Sequence, residues 1–265
     1  MGIISDPSIL RVEINGRAAT AEQLHFPALA NYGHFTAMQV RNGSVRGLDL
    51  HLKRLDAANR ELFGADLDGN RVCEHIRRAL RDDTAEASVR VHVFYPEADG
   101  TASIMVTVRP PAHIPSTPRS LQAVPYLRPV AHIKRIGDFG QNYYRRLAER
   151  NGFDDALLTG PGGIISEGGI TNIGFFDGAA VIWPDAPALA GITMQLLEPR
   201  LAGSGLPPRR SAVRLADLAS FAGVFVTNSE GIAPVGRVDE LSLPVNMDLI
   251  ERLAQVYQSV PWDPI

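Results

Sequence analysis

Pro110-Pro111-Ala112-His113-Ile114-Pro115-Ser116-Thr117-Pro118 places four prolines in nine residues. Each proline fixes its φ and removes a backbone donor, so the stretch reads as a stiff, non-helical connector. It predicts two domains, residues 1–109 and 120–265, joined by a Pro-rich linker over 110–119. On its N-terminal side, Leu10-Arg11-Val12-Glu13-Ile14 alternates with period two and meets Asn15-Gly16, and His34 to Arg41 alternates likewise and meets Asn42-Gly43. Both read as a strand entering a tight hairpin turn. Leu48, Leu52, Leu55, Ala58 and Leu62 recur every three or four residues and stop at Gly64, the pattern of an amphipathic helix with a glycine end signal. A second helix near 69–81 and Val-, Ile- and Thr-rich strands over 87–95 and 102–109 complete an antiparallel sheet covered by helices. Beyond the connector, strands are expected at 120–127, 154–159, 164–166, 171–176, 179–183 and 222–227, with helices at 139–151, 193–202 and near 246–259. The second domain is thus α/β or α+β.

Composition bounds the function. The chain has 265 residues, 45% apolar and 21% charged, which is globular rather than disordered or fibrous. A net charge of −3 with no run of like charge argues against a nucleic-acid groove or an anionic membrane surface as partner. The longest apolar stretches are strand-sized, and Met1-Gly2-Ile3-Ile4-Ser5-Asp6-Pro7 lacks a basic flank followed by an apolar core. No spanning helix or secretory signal is therefore expected, and a cytoplasmic location follows as an expectation. Cys73, the single cysteine, excludes an internal disulfide and a multi-thiolate metal site, and its apolar-periodic setting fits a small buried residue. The seven histidines form no ligand-spaced cluster, so no metal is expected.

The basic residues are unevenly chosen. Of 26, only Lys53 and Lys134 are lysines. An ε-amine can lose its proton and form a Schiff base, whereas a guanidinium stays protonated, so each lysine becomes a candidate for amine chemistry. Lys53 points away from the apolar stripe of its helix and is expected in solvent. Lys134, in Ala131-His132-Ile133-Lys134-Arg135-Ile136-Gly137, precedes a helix and can project into a cleft. Three further segments are polar and glycine-rich: Glu167-Gly168-Gly169-Ile170-Thr171-Asn172, Gly191-Ile192-Thr193 at a helix start, and Thr227-Asn228-Ser229-Glu230-Gly231 after an apolar strand. A helix start of this kind offers free N–H donors and a positive dipole end to a phosphate. Taken singly, each segment also reads as ordinary turn or cap chemistry.

In this order, the lysine, the Glu-Gly loop, the Gly-Ile-Thr helix start and the polar turn resemble the fold-type IV pyridoxal-phosphate enzymes, the class IV aminotransferase family. That family includes branched-chain and D-amino-acid aminotransferases and aminodeoxychorismate lyase. Arg41-Asn42-Gly43 and Leu50-His51-Leu52-Lys53-Arg54-Leu55 are similar to its hairpin and His-x-x-Arg-Leu helix, so the likeness spans roughly residues 30–240. It implies an α+β two-domain fold, with an N-terminal antiparallel sheet plus helices and a barrel-like C-terminal cofactor domain. The implied cofactor is pyridoxal 5'-phosphate. Lys134 would form its internal aldimine and move the Cα proton, and Glu167 would face the pyridine nitrogen. Arg54 would clamp the phosphate, with Ile192, Thr193, Asn228 and Ser229 supplying further donors. The implied reaction is ping-pong transamination between an amino acid and a 2-oxo acid, with aminodeoxychorismate lyase activity or non-catalytic phosphate-ligand binding as alternatives. In family members the site lies between the domains and is completed by a second subunit, so a homodimer is implied. The chain departs from the family at Phe35-Thr36-Ala37-Met38-Gln39, which lacks the carboxylate and arginine of Phe-Glu-Gly-x-Arg. It also carries Phe35 and Phe139 where relatives place a tyrosine, making Phe35, Gln39 and Phe139 candidate substrate contacts.

Overall fold

A computed structural model describes residues 11–81, 84–96 and 101–265. The Met1–Pro7 stretch read above lies outside the described residues. The chain divides into two compact units, one of Met1–Ala112, Ile133–Gly137 and Pro261–Ile265, the other of His113–His132 and Asp138–Val260.

The first unit contains β1 (Arg11–Ile14), β2 (Arg17–Ala18), α1 (Ala21–Leu29), β3 (His34–Arg41), β4 (Ser44–Val45), α2 (Leu48–Phe63), α3 (Gly69–Leu80), β5 (Glu86–Phe94) and β6 (Ser103–Arg109). Both Asn-Gly pairs form the expected turns. Asn15 and Gly16 take φ of 49° and 75°, and Asn42 and Gly43 take 47° and 68°, the two left-handed residues of a hairpin turn that matches strand twist. The apolar sides of β3, β5 and β6 carry Met38, Val40, Val89, Val91, Val93, Ile104, Val106 and Val108, and they pack against Leu55 of α2 and Val72, Ile76, Ala79 and Leu80 of α3. Each such buried Val, Leu or Ile stabilises by about 1.5–3 kcal/mol relative to exposure. Cys73 of α3 is buried as expected, and burial pushes its thiol pKa up. Helix α1 carries no apolar-periodic signal. It is set instead by a capping box in which Thr20 accepts from Gln23 N and the Gln23 side chain accepts from Thr20 N.

A last strand of the chain, designated β16 (Asp263–Pro264), returns to this sheet and pairs with β4, giving seven strands. The Asp263 carboxylate accepts from the backbone N–H groups of Gly47 and Leu48, each at 3.0 Å. It satisfies orphan donors at the start of α2 and places a negative charge at the positive dipole end.

The second unit runs β7 (Arg119–Pro125), α4 (Phe139–Arg150), β8 (Asp155–Thr159), β9 (Ile165–Gly168), β10 (Asn172–Phe176), β11 (Val181–Pro184), α5 (Ile192–Leu201), β12 (Pro208–Ser211), β13 (Gly223–Asn228), β14 (Gly231–Val238), β15 (Leu241–Ser242) and α6 (Met247–Gln258). Its nine strands form a mixed, curled half-barrel sheet, parallel where β7 meets β8 and β14 and where β11 meets β12. The β7–α4–β8 unit is a parallel crossover, and β9 and β10 are buried at every residue. Helices α5 and α6 cover Trp183 and Phe225 through Met194, Leu197, Leu249 and Leu253. Among the described residues, no helix is long and apolar enough to cross a membrane.

Replacing Asp263 by alanine is expected to destabilise the protein by about 1 kcal/mol, because it removes a carboxylate that accepts from two backbone N–H groups at the start of α2. Urea unfolding measures this, and Lys53→Ala, on an exposed pair with Asp49, should move stability by less than about 0.5 kcal/mol.

Candidate active site

In the first unit Lys134 is held at a short antiparallel bridge. Phe35 N donates to Lys134 O at 2.7 Å, Ile136 N donates to Gly33 O at 3.0 Å, and Arg135 bridges His34. Close approach here requires Gly33, since a Cβ at that position would lie 2.5 Å from Val93 O and 2.8 Å from Ile136 Cδ1. Lys134 Nζ stands 4.7 Å from the centroid of the Phe35 ring. The two lysines thus differ sharply in setting. Lys53 is 75% exposed and ion-paired with Asp49 at 2.7 Å, whereas Lys134 is half-buried against an aromatic face.

Arg54 projects from α2 toward β3. Its Nη2 donates to Thr36 Oγ1 and lies 3.5 Å from His51 Nδ1. Its Nε is buried without a hydrogen-bond partner, and no carboxylate pairs with it among the described residues. Burial lowers its pKa to about 10, still far enough above neutrality to keep the guanidinium charged. An uncompensated buried cation costs several kcal/mol, a cost that an anion beside Arg54 would offset. Thr36 Oγ1 lies 2.6 Å from His51 Nδ1. The Thr36 hydroxyl, which accepts from Arg54, thus also shares a hydrogen bond with the His51 ring. Burial, aided by the Arg54 charge, holds His51 well below the ordinary imidazole range. His34 is also buried, with Nε2 3.4 Å from Asn59 Oδ1, and burial lowers its pKa to about 4. Gln39 donates to Ser88 Oγ at 3.1 Å and accepts from Ala112 N at 3.0 Å.

In the second unit Glu167 of β9 is 4% exposed. Arg128 Nε lies 3.1 Å from its Oε1, and Leu189 N donates to its Oε2 at 3.2 Å. Arg128 also donates through Nη2 to Ala131 O and through Nη1 to Gln141 Oε1. Its charge offsets the cost of burying the carboxylate. The loop beyond Leu189 is held from the other side by Asn172 Nδ2, which donates to Leu189 O at 2.7 Å. A Cβ on Gly191 would fall 1.9 Å from Asn172 Oδ1, so the loop reaches the start of α5 only with glycine there. Gly191 is the N-cap and makes no side-chain cap, leaving the first N–H groups of α5, those of Ile192 and Thr193, without intrahelical acceptors. Thr193 Oγ1 donates to Asn228 O at 2.7 Å, joining the helix start to the β13–β14 turn. Asn228 Oδ1 accepts from Glu230 N at 2.7 Å, and Ser229 follows it in that turn. Phe139 opens α4, 80% exposed and stacked on Tyr143.

The structure therefore gathers Lys134, Phe35, Arg54 and Gln39 in one unit, and Glu167, Ile192, Thr193, Asn228 and Ser229 in the other. Reading the residues in sequence overlooked Arg128, Asn172 and Thr36. Asn172 ends the Glu-Gly loop already singled out and was the most findable, whereas Leu127-Arg128-Pro129 carries no pattern. Among the described residues, no cluster of His, Cys, Asp or Glu could hold a metal ion.

Comparison with known proteins yields one family model, amino-transferase class IV, matching residues 33–238. No curated protein sequence matches the chain. Among solved structures, a hypothetical aminotransferase from Mycobacterium tuberculosis in its PLP-bound form is similar at 22% identity and TM-score 0.79, over 89% of this chain and 90% of that one. A branched-chain aminotransferase from Thermoproteus uzoniensis with norvaline gives 18% and 0.81, over 94% of each chain. A candidate 4-amino-4-deoxychorismate lyase from Legionella pneumophila gives 18% and 0.80, over 89% of this chain and 93% of that one.

Two outcomes follow from this geometry. Gly191→Ala should destabilise the second unit by about 1–3 kcal/mol through overpacking, with partial recovery in an Asn172→Ala background, read by denaturant unfolding. Acid should also weaken the first unit. Below pH 6.5 an unfolded chain protonates His34, whereas the folded site resists until about pH 4. Stability is therefore expected to fall across that window, by up to about 3 kcal/mol from this group, and His34→Gln should flatten the slope in urea titrations against pH.

Proposed function

The chain belongs to the class IV aminotransferase family, and from that membership we propose that it binds pyridoxal phosphate on Lys134 and transfers an amino group between an amino acid and a 2-oxo acid. The observation that carries this reading is the contrast between the two lysines, only one of which is withdrawn from solvent and set on an aromatic face. The residues present suit the cofactor. A buried guanidinium at Arg54, with no carboxylate partner among the described residues, suits its phosphate, as do the N–H groups of Ile192 and Thr193 that have no intrahelical acceptor and the polar turn at Asn228 and Ser229. A buried carboxylate at Glu167 suits its ring nitrogen.

When bound, pyridoxal phosphate supplies an electron-accepting ring that stabilises negative charge at the substrate Cα. Lys134 Nζ would hold the cofactor covalently, and its free amine would carry the proton from the substrate Cα to the cofactor's C4′ carbon. Glu167 holds a proton on the ring nitrogen, and Arg128 keeps that carboxylate from becoming an uncompensated buried charge. Arg54 anchors the phosphate, while Thr36 and His51 fix the orientation of its guanidinium. The M. tuberculosis relative is described in PLP-bound form and in a form with α-ketoglutarate and PMP, which supports both the cofactor and the acceptor class. We further assign a homodimer, supported by the exposed, stacked Phe139 and Tyr143, with Phe139 facing substrate or partner. Removal of the Cα proton also begins a β-elimination, and the likeness to the Legionella protein favours aminodeoxychorismate lyase activity as the second reading.

Borohydride reduction followed by peptide mapping should fix the cofactor on Lys134. Lys134→Arg keeps the charge but not the chemistry and is expected to abolish turnover; measurable transamination by it would overturn the reading. Arg54→Gln should weaken cofactor affinity about 10- to 100-fold, the worth of a charge-assisted hydrogen-bond anchor. Incubation with an amino acid alone converts a transaminase to its pyridoxamine form, whereas a lyase returns to its starting form.

A further inference from the structure

The Pro-rich connector that opens the second unit walls a cavity of that unit. Ile114 and Pro115 of the connector, Leu121 of β7 and Val226 of β13 give the cavity an apolar lining, and its volume is about 420 Å³ counted out to the open mouth. A Cβ on Gly231 would come within 2.9 Å of Ile114 Cγ2, and Ile114 N donates to Glu230 O at 3.1 Å. Connector and β13–β14 turn are therefore pinned together beside it. Asn228, on the turn assigned to the cofactor's phosphate, borders the same space.

Charge around this cavity does not balance. It is lined by two guanidiniums, Arg119 and Arg145, and by three carboxylates, Asp154, Asp155 and Glu230. Both arginines are matched, with Arg119 Nη1 3.6 Å from Asp154 Oδ1 and Arg145 Nε 3.1 Å from Asp155 Oδ1. The other oxygens of those aspartates accept from backbone, Asp154 Oδ2 from Ser120 N at 2.7 Å and Asp155 Oδ2 from Ile170 N at 3.3 Å. Glu230 is the surplus. Its N–H donates to Asn228 Oδ1 at 2.7 Å and its carbonyl accepts from Ile114, yet among the described residues the carboxylate of this half-buried side chain meets no cation or donor.

A second unmatched group lines the same cavity. Thr171 is 8% exposed, and its Oγ1 is buried without a hydrogen-bond partner. A Cβ built on Gly168 would stand 2.2 Å from that oxygen. Directly paired residues share a face, and Leu157, the strand partner of Gly168, packs with Leu121 and Val226 inside the half-barrel. The hydroxyl is therefore aimed at the interior that the cavity enters. Buried polar atoms are nearly always paired in native proteins, and this one faces a space with a negative bias.

We propose that the cavity binds a primary alkylammonium group, its stem against Ile114, Leu121 and Val226 and its ammonium donating to the Glu230 carboxylate and the Thr171 hydroxyl oxygen. An ammonium carries three donors and no acceptor, so it serves both unmatched oxygens at once. A carboxylate or phosphate would instead meet Glu230 and two arginines already engaged by aspartates. Apolar walls strengthen the attraction of a cation to the surplus charge. The ligand is either the distal ammonium of a diamino substrate, a source that rests on the transamination reading, or a free amine bound apart from catalysis.

The probe is n-butylammonium, with n-butanol as its neutral counterpart and butyrate as its anionic one, titrated by NMR into the millimolar range expected of so small a ligand. The protein is first supplied with pyridoxal phosphate and reduced with borohydride, so that no amine exchanges onto the cofactor. Butylammonium is expected to bind at least about 10-fold more tightly than either counterpart, and Glu230→Gln to weaken it about 10-fold. Thr171→Val is expected to weaken it severalfold, and the two variants are read independently, so that failure of one to fold leaves the other decisive. No butylammonium binding by the parent, binding unchanged in the folded variants, or butyrate binding as tight as butylammonium would each overturn the proposal. Half-reactions of the unreduced protein with racemic ornithine and norvaline separate the sources. Slowing of ornithine alone by Glu230→Gln assigns the substrate's distal ammonium, whereas equal effects or no reaction with either assign a free amine. A protein that fixes no cofactor but binds butylammonium through Glu230 would overturn the Lys134 assignment and leave this site standing.

Discussion

A carboxylate taken out of water must be matched, and the C-terminal unit is arranged around that demand at Glu167. Arg128 supplies the opposing charge and Leu189 a backbone donor. Those two contacts tie β9 to the segment ahead of α4 and to the loop ahead of α5. Removing a buried ion's partner costs about 3–5 kcal/mol, so the pair constrains the local backbone more strongly than any one apolar contact. From the Leu189 end the constraint passes through Asn172 and Gly191 into the start of α5, and from Thr193 into the β13–β14 turn. The donors grouped around the helix start are therefore positioned by a chain of polar contacts anchored on one buried charge.

The N-terminal unit solves the opposite problem. Its sheet buries valines against α2 and α3 on one side, which fixes register because a one-residue slip would expose the whole apolar set. That same register aligns Arg90, His92, Thr107 and Arg109 on the other side. The core and the charged platform are two readings of one alternation. Arg54 stands apart, reaching β3 from the helix side, where the Thr36 hydroxyl relays its orientation to a neutral His51.

Elements whose signal is local were legible in the sequence. The Asn-Gly turns are dictated by two left-handed residues, and α2 by its leucine spacing and Gly64, which takes φ of 68°. Elements decided by a distant partner were not. β12 is an exposed, arginine-bearing strand that exists because it pairs in parallel with β11, and α1 contains Pro27 and buries no residue. The same division runs through the site. Lys134, Glu167 and Thr193 stand out by residue type and spacing. The bridge that seats Lys134 beside His34 is one residue long and leaves no period to detect, and Arg128 meets Glu167 only through the fold. Phe35 was visible as a departure from relatives, but its stack on His92 depends on cross-strand register.

The closing strand has a consequence for synthesis. Residues 261–265 belong to the first unit, and Asp263 completes the start of the helix that carries Arg54. A ribosome adds these residues only after the whole of the second unit has been translated. The N-terminal sheet must therefore wait, partly assembled and with β4 as an open edge, through the translation of more than a hundred residues, a period in which unpaired edges invite wrong partners. The short length of β4, Ser44–Val45, limits what such an edge can capture while the chain is being made.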